Sequence, residues 1–189
     1  MTLTTKEALA TSLKNIMTKK PLQKITIKDI VVDCGVNRQT FYYYFQDIYD
    51  LLGWIYKTEA VGSISTCKTY ETWQQGFLKI FQYVINNKSF CMNTFHSMGR
   101  EHLETFLQNE IFNLLIDVIE EVSKNSYLSS TEKEFIANFY TFAFIGILTS
   151  WMKNGMKDSP ESIIEKVERL VNGDIEKVIN KTTQLHLNN

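Results

Sequence analysis

Residues that break, bend or bridge a chain are scarce here. The 189 residues include two prolines, Pro21 and Pro160, eight glycines and three cysteines. So few breakers disfavour a turn-rich β fold and favour helices. Cys34, Cys67 and Cys91 are odd in number, far apart, and without a CxxC spacing. That argues against a disulfide framework or a zinc site and fits a reducing cytoplasm. The opening MTLTTKEALA lacks the charged-then-apolar pattern of a signal peptide. The longest apolar stretch, around Phe139 to Trp151, contains Tyr140, Thr141, Gly146, Thr149 and Ser150 and reads as too short and too polar to span a bilayer. No membrane is expected as a partner. Catalytic signals are missing as well: there is no Gly-rich phosphate loop, no cluster of metal ligands, and no Ser or Cys with a His base in a recognisable motif. Neither an enzyme, nor a cofactor, nor a metal is expected.

Charge of one sign is also lacking, since the net charge is −1. Its distribution is uneven. Residues 1–52 carry seven Lys/Arg against five Asp/Glu, and residues 53–189 carry thirteen against sixteen. Lys19, Lys20, Lys24 and Lys28 cluster in the basic part. A basic head on an acidic body suits phosphate attraction, but the surplus is small enough for ordinary surface lysines to account for it too.

What the chain does have is helical periodicity. Thr4 or Thr5 can cap a first helix, Lys6 to Lys19, with Leu9, Leu13, Ile16 and Met17 on one stripe, and Pro21 stops it. Thr26 caps a short helix, Ile27 to Asp33. Cys34-Gly35 then makes a turn, and Gly35 can take the left-handed backbone such a turn needs. Asn37 caps a third helix and Asp47 a fourth that runs to about Ser65. The spacing predicts further helices over Glu71–Asn87, Ser89–Ser97 and Glu101–Lys124. Another covers Thr131–Asn154, with Gly155 as C-cap, and another Pro160–Asn172, with proline at its first position. A short one can follow over Asp174–Asn189.

Thr26 to Leu52 is the stretch that carries function. Two short helices joined by a sharp turn are the arrangement that lays one helix in a DNA major groove. On the third helix Phe41, Tyr44, Phe45 and Ile48 share an inward face, and Gln39, Tyr43 and Gln46 point the opposite way, with Arg38, Thr40 and Tyr42 on the flanks. Arg can pair with guanine, Gln with adenine, Thr with a thymine methyl, and tyrosines with phosphate or sugar. Thr26, Lys28 and the free N–H groups at the start of the second helix suit a phosphate. A core stripe explains Phe41, Tyr44 and Phe45 but not two further outward aromatics.

The pattern Ile27, Ile30, Gly35-Val36, Phe41-Tyr42 and Tyr44-Phe45 resembles the signature of TetR-type transcriptional regulators over residues 5–52. The resemblance implies an all-α protein, with a three-helix helix-turn-helix DNA-binding domain over residues 1–50. A helical-bundle ligand- or partner-binding and dimerisation domain follows over 51–189. It implies a cytoplasmic homodimer on a near-palindromic double-stranded DNA operator. Carried over by position, Thr26, Lys28, Asn37, Arg38, Gln39, Thr40, Tyr42 and Tyr43 contact DNA. That family usually has a phosphate-binding lysine where this chain has Ile48. FYYYFQDIYDLLGWIYK and FIGILTSWMKNGMKDSPESIIEKVERLV resemble, more narrowly, the branch associated with dihydroxyacetone kinase operons. That branch implies an activator working with a kinase-subunit-like coactivator protein. The wider family equally allows a repressor released by a small-molecule effector.

In the body, His96, Arg100 and His102, with Cys91, Phe95 and Met98 nearby, read either as the rim of an effector pocket or as a solvated loop. Trp54 and Trp73 (with Tyr56) read either as cavity lining or as core. His96 and His102 lack the i, i+4 spacing of a metal pair. The helix over Thr131–Asn154 is apolar nearly all round, with Phe135, Phe139, Phe142, Phe144, Ile145, Ile147, Leu148, Trp151 and Met152. Burial against both core and partner accounts for that. Phe139, Phe142, Ile145, Gly146 and Trp151, with Ile163 and Val167 of the next helix, are the dimer candidates. A central helix wholly inside one subunit is the other reading. Outside DNA binding, the remaining class is a helical protein–protein adaptor.

Overall fold

A computed structural model describes residues 4–60, 69–124, 126–171 and 177. Among them the secondary structure is helical throughout: α1 Thr5–Met17, a short 3-10 helix Leu22–Lys24, α2 Ile27–Asp33, α3 Arg38–Tyr44, α4 Ile48–Ala60, α5 Trp73–Asn86, α6 Lys88–Phe95, α7 Arg100–Val122, α8 Ser130–Lys153 and α9 Pro160–Val171. The expected run of the fourth helix to Ser65, the end of the last strong helix at Asn172 and, apart from Lys177, the short helix over Asp174–Asn189 lie outside the described residues, as does Cys67. The all-α architecture read from the sequence is the one observed.

Short-range hydrogen bonds explain where the helices start. Thr4 and Glu7 close a capping box on α1, Thr26 and Asp29 one on α2, and Ser129 and Glu132 one on α8. In each, a hydroxyl accepts from an N–H that has no partner within the helix, and the carboxylate reaches back to the cap N–H. At its far end α8 stops at Asn154. Gly155 and Met156 take φ of 80° and 60°, and the Met156 N–H returns to Trp151 O at 2.9 Å.

The chain divides into two compact units, Met1–Val61 with Val84–Phe106, and Gly62–Tyr83 with Leu107–Asn189. The first unit therefore extends past residue 50, the boundary expected for the DNA-binding segment. Its centre is α1, which packs on α2, α4 and α6. Leu9, Leu13 and Met17 are buried on that helix, and the Ser12 hydroxyl donates to Ile30 O of α2 at 3.1 Å. Tyr56 of α4 lies between Phe90 and Phe106, with ring centroids 4.9 and 5.2 Å away. Its hydroxyl is buried without a hydrogen-bond partner, and burial pushes the phenol pKa well above its ordinary value. Neighbouring Thr94 spends its own hydroxyl on Phe90 O.

The second unit is built on α5, α7, α8 and α9. Phe77 stacks on Phe144 at 3.8 Å, Trp73 meets both edge-on, and Phe81 meets Trp151 at 4.9 Å. A second cluster joins Ile119, Leu128, Ile136 and Ala137. The apolar stretch read as too short for a bilayer belongs to a 24-residue helix, α8, which contains an 18-residue window of mean hydropathy 1.4 and is by length and composition enough to cross one. That stretch counts from Phe139, two and a half turns inside the helix, whose start the spacing places at Thr131. In this structure the inward stripe of α8, Ile136, Thr141, Phe144, Leu148 and Trp151, is buried against protein.

Two core substitutions should separate in sign. Phe77→Ala empties the centre of the aromatic stack and should cost about 3–5 kcal/mol in urea unfolding. Tyr56→Phe removes an unpaired hydroxyl and opens no space, so it should preserve stability or raise it by up to about 1 kcal/mol. A Tm drop for Tyr56→Phe comparable to that of Phe77→Ala would show that the hydroxyl is satisfied.

Candidate nucleic-acid interface

The helix-turn-helix is assembled from three local devices. At the N-terminus of α2, the Asp29 carboxylate accepts from Lys20 Nζ at 2.8 Å, from the Thr26 N–H at 2.7 Å and from the Thr26 hydroxyl at 2.8 Å. The Lys20 bond is the largest of these influences, and together they hold the Asp29 pKa down at about 2. In the turn, the Cys34 N–H returns to Ile30 O and the Val36 N–H to Val31 O, with Gly35 at φ 71°. A Cβ there would meet nothing within 4 Å, so glycine serves conformation at this position, not space. At α3, Asn37 Oδ1 accepts from the Thr40 N–H at 2.8 Å and the Thr40 hydroxyl at 3.0 Å.

Burial then orients α3. Phe41 is fully buried and Phe45 nearly so, and Ile30 of α2 is fully buried as well. Phe45 is already extended, at φ −140° and ψ 140°, so α3 ends at Tyr44. Gln46 and Ile48 are thus not on its wheel, and Ile48 instead opens α4. The periodicity had carried the inward stripe one turn too far because Phe45 stays buried after the helix stops. Facing out are Arg38, Gln39, Tyr42 and Tyr43, the last 81% exposed. Arg38 Nη2 donates to Tyr42 Oη at 3.0 Å and its guanidinium lies 5.5 Å from that ring. Tyr43 packs edge-on to Tyr44 at 4.8 Å, and Lys6 sits over Tyr44, Phe45 and Trp54. The outward tyrosines are therefore braced by neighbouring rings.

The eight sequence candidates divide by what their side chains already do. Arg38, Gln39, Tyr42 and Tyr43 form one exposed surface, and Lys28 is exposed on α2. Thr26, Asn37 and Thr40 are committed to caps, which leaves Asn37 chiefly its Nδ2 group as a donor. At the start of α4, Asp47 Oδ1 accepts from the Asp50 N–H and Asp50 Oδ2 from the Gln46 N–H. Two carboxylates thus stand beside half-buried Ile48, where a basic anchor would hold phosphate.

Elsewhere, Phe95, His96 and Arg100 come together. The Arg100 guanidinium lies 4.5 Å from the Phe95 ring and pairs with Glu104 at 2.7 Å, and His96 meets the Phe95 ring edge-on. Trp54 lines a separate groove of about 390 Å³ beside α1. Trp73 lies in the aromatic core of the second unit. Of the dimer candidates, Phe139, Phe142 and Gly146 are exposed and Ile145 is half-buried, whereas Trp151, Ile163 and Val167 are buried within their unit. Phe135 and Leu170, both 72% exposed, were not among the candidates. Phe135 precedes Phe139 by four residues, a spacing that marks the same face.

Residues 6–53 match the family described as bacterial regulatory proteins, tetR family, and residues 71–173 match a transcriptional regulator C-terminal region. Among characterised proteins, the chain is 28% identical over 169 residues to the HTH-type dhaKLM operon transcriptional activator DhaS of Lactococcus lactis subsp. lactis, spanning 88% of each chain. Among solved structures, it is similar to the dihydroxyacetone kinase operon activator DhaS, with a TM-score of 0.72 and 28% identity over 94% of this chain and 99% of that one. The reduced form of E. coli NemR shares the fold, with a TM-score of 0.53 and 15% identity over 87% and 96% of the chains.

The α2 cap has a defined pH signature. A carboxylate held below its ordinary value of 3.8 stabilises the fold above that value and loses its contribution as pH falls toward about 2. Asp29→Asn should therefore lower the Tm at pH 7 by a few degrees, and the gap to the unmodified protein should close between about pH 4 and pH 2. A gap independent of pH would remove the charge from the cap's role.

Proposed function

This chain belongs to the tetR family of bacterial regulatory proteins, and from that premise we propose that it is a cytoplasmic, homodimeric activator of a dihydroxyacetone kinase operon. It is a transcriptional regulator. Each subunit lays α3 in the major groove of one half-site of a near-palindromic operator. Arg38 and Gln39 read base edges, Tyr42 and Tyr43 reach bases, sugar or phosphate, and Lys28 and the α2 N-terminus meet phosphate. Thr26, Asn37 and Thr40 hold the two helix starts that face the duplex. The observation that carries this reading is the exposed surface of α3, polar and aromatic over a buried Phe41, in a chain similar to DhaS along most of its length.

The exposed face of α8 supports self-association. Phe135, Phe139, Phe142 and Gly146 follow one another at helical spacing on the side opposite the buried stripe. Phenylalanines that are 60–72% exposed are costly to leave in water, and a second copy would bury them. The regulatory input in this reading is the kinase-subunit-like coactivator that the resemblance to the dihydroxyacetone kinase branch implies. The groove holding Trp54 and the Lys14–Glu59 pair favours a second reading, direct control by a small molecule.

Selection of bound sequences from random DNA tests the main reading. A near-palindromic site should emerge, and Gln39→Ala or Tyr43→Ala should each weaken its binding by about 1–3 kcal/mol. Affinity should fall steeply with salt; an adaptor that binds protein would yield no site and little salt dependence. Phe139→Glu with Phe142→Glu should give monomers by light scattering with unchanged helix content. A thermal shift with a small metabolite alone would favour the second reading over the coactivator.

A further inference from the structure

The amide of Asn93 on α6 makes three hydrogen bonds, all to backbone groups at the end of α1 and in the link from it to α2. Nδ2 donates to Met17 O at 2.9 Å and to Lys20 O at 2.8 Å, and Oδ1 accepts from the Leu22 N–H at 2.8 Å. These partners lie 71–76 residues away in sequence. The link needs an outside partner for a simple reason. Pro21 has no N–H, so α1 cannot continue, and the N–H groups of Thr18, Lys19 and Lys20 turn back to Asn15 O and Ile16 O. Met17 O and Lys20 O are left facing α6, and an asparagine, which carries two donors and an acceptor in one plane, fits the gap.

The same seam is closed by further contacts in the first unit. Gln23 Nε2 donates to His96 O at 3.1 Å. Gly99 lies so close to α4 that a Cβ would stand 2.6 Å from Leu52 Cδ2. His102 stacks on Tyr49 and lies against Gly53. From Leu22 the chain needs only four residues to reach Thr26, the N-cap of α2.

We infer that Asn93 is a positioning residue for DNA binding: its three hydrogen bonds fix the helix-turn-helix on α6 and so set the angle at which α3 is presented. It touches no nucleic acid itself. Three bonds from one planar group restrict rotation as well as distance, whereas the apolar contacts of α1 alone allow sliding. Loss of the amide leaves α2, α3 and their caps intact but lets them pivot.

This inference rests on the operator reading above, and the test uses the site selected by the unmodified protein. If no site is selected, that reading fails before Asn93 is examined. With a site in hand, Asn93→Ala and Asn93→Asp are compared with the unmodified protein. The probes are that site, versions with its half-sites one base pair closer or farther apart, and random DNA. Asn93→Asp keeps the acceptor for Leu22 but loses both donors. The expected result is a loss of about tenfold or more on the selected site, little change on random DNA, and a preference for the selected spacing that shrinks toward unity. Helix content and cooperative melting should persist. Undiminished spacing preference overturns the inference, and so does an equal loss on all DNA, which marks a general folding lesion. If the alanine variant does not fold, the aspartate variant decides by the same readout.

Discussion

The buried stripe of α1 is the constraint on which the DNA-binding part depends. Thirteen residues present Leu9, Leu13 and Met17 inward, and three other helices rest on that helix. A face of this kind is non-directional and holds its neighbours together without dictating their angles. Direction comes from polar groups at its edges: Ser12 onto Ile30 O, Lys14 onto Glu59, and the Asn93 amide at the C-terminal end. The short helices α2 and α3, seven residues each, would be marginal alone and are stable because they are docked there.

The exposed surface of the helix-turn-helix divides labour between side chains that build it and side chains that it displays. Thr26, Asn37 and Thr40 spend their oxygens on helix caps, and Phe41 and Phe45 spend their rings on the core. Arg38, Gln39, Tyr42 and Tyr43 remain outward. The surface is thinly charged: Lys20 is neutralised by Asp29, and Asp47 and Asp50 occupy the start of α4. In the operator reading proposed above, phosphate attraction therefore falls chiefly to Lys28 and Arg38, both exposed.

In the second unit α8 resolves an ambiguity of composition. Apolar residues surround it, yet they serve two ends. Phe144, Leu148 and Trp151 complete an aromatic core with α5, and Trp151 Nε1 also donates to Asp158 O at 2.8 Å, which ties the turn after α8 to the helix. Phe135, Phe139 and Phe142 are left outside. A sequence apolar on all sides does not say which side chains the subunit itself buries; the packing does, and it leaves these three exposed.

What the sequence determined by itself was everything that short-range chemistry controls. A cap and its partner sit three residues apart, a left-handed turn needs a glycine, and a buried helix face repeats every three or four residues. The helix-turn-helix, its limits at Thr26, Gly35 and Asn37, and the outward place of Gln39 and Tyr43 were legible for that reason. Tertiary structure decided what spacing cannot encode. It ended α3 at Tyr44 while keeping the next residue, Phe45, buried in an extended conformation. It put Trp73, Trp151, Ile163 and Val167 in the core and left Phe135 and Leu170 exposed, and it brought Asn93 across more than seventy residues to the end of α1. Periodicity predicts that a face is buried but not against what, and a lone asparagine in a helix carries no mark of a distant backbone that lacks a partner.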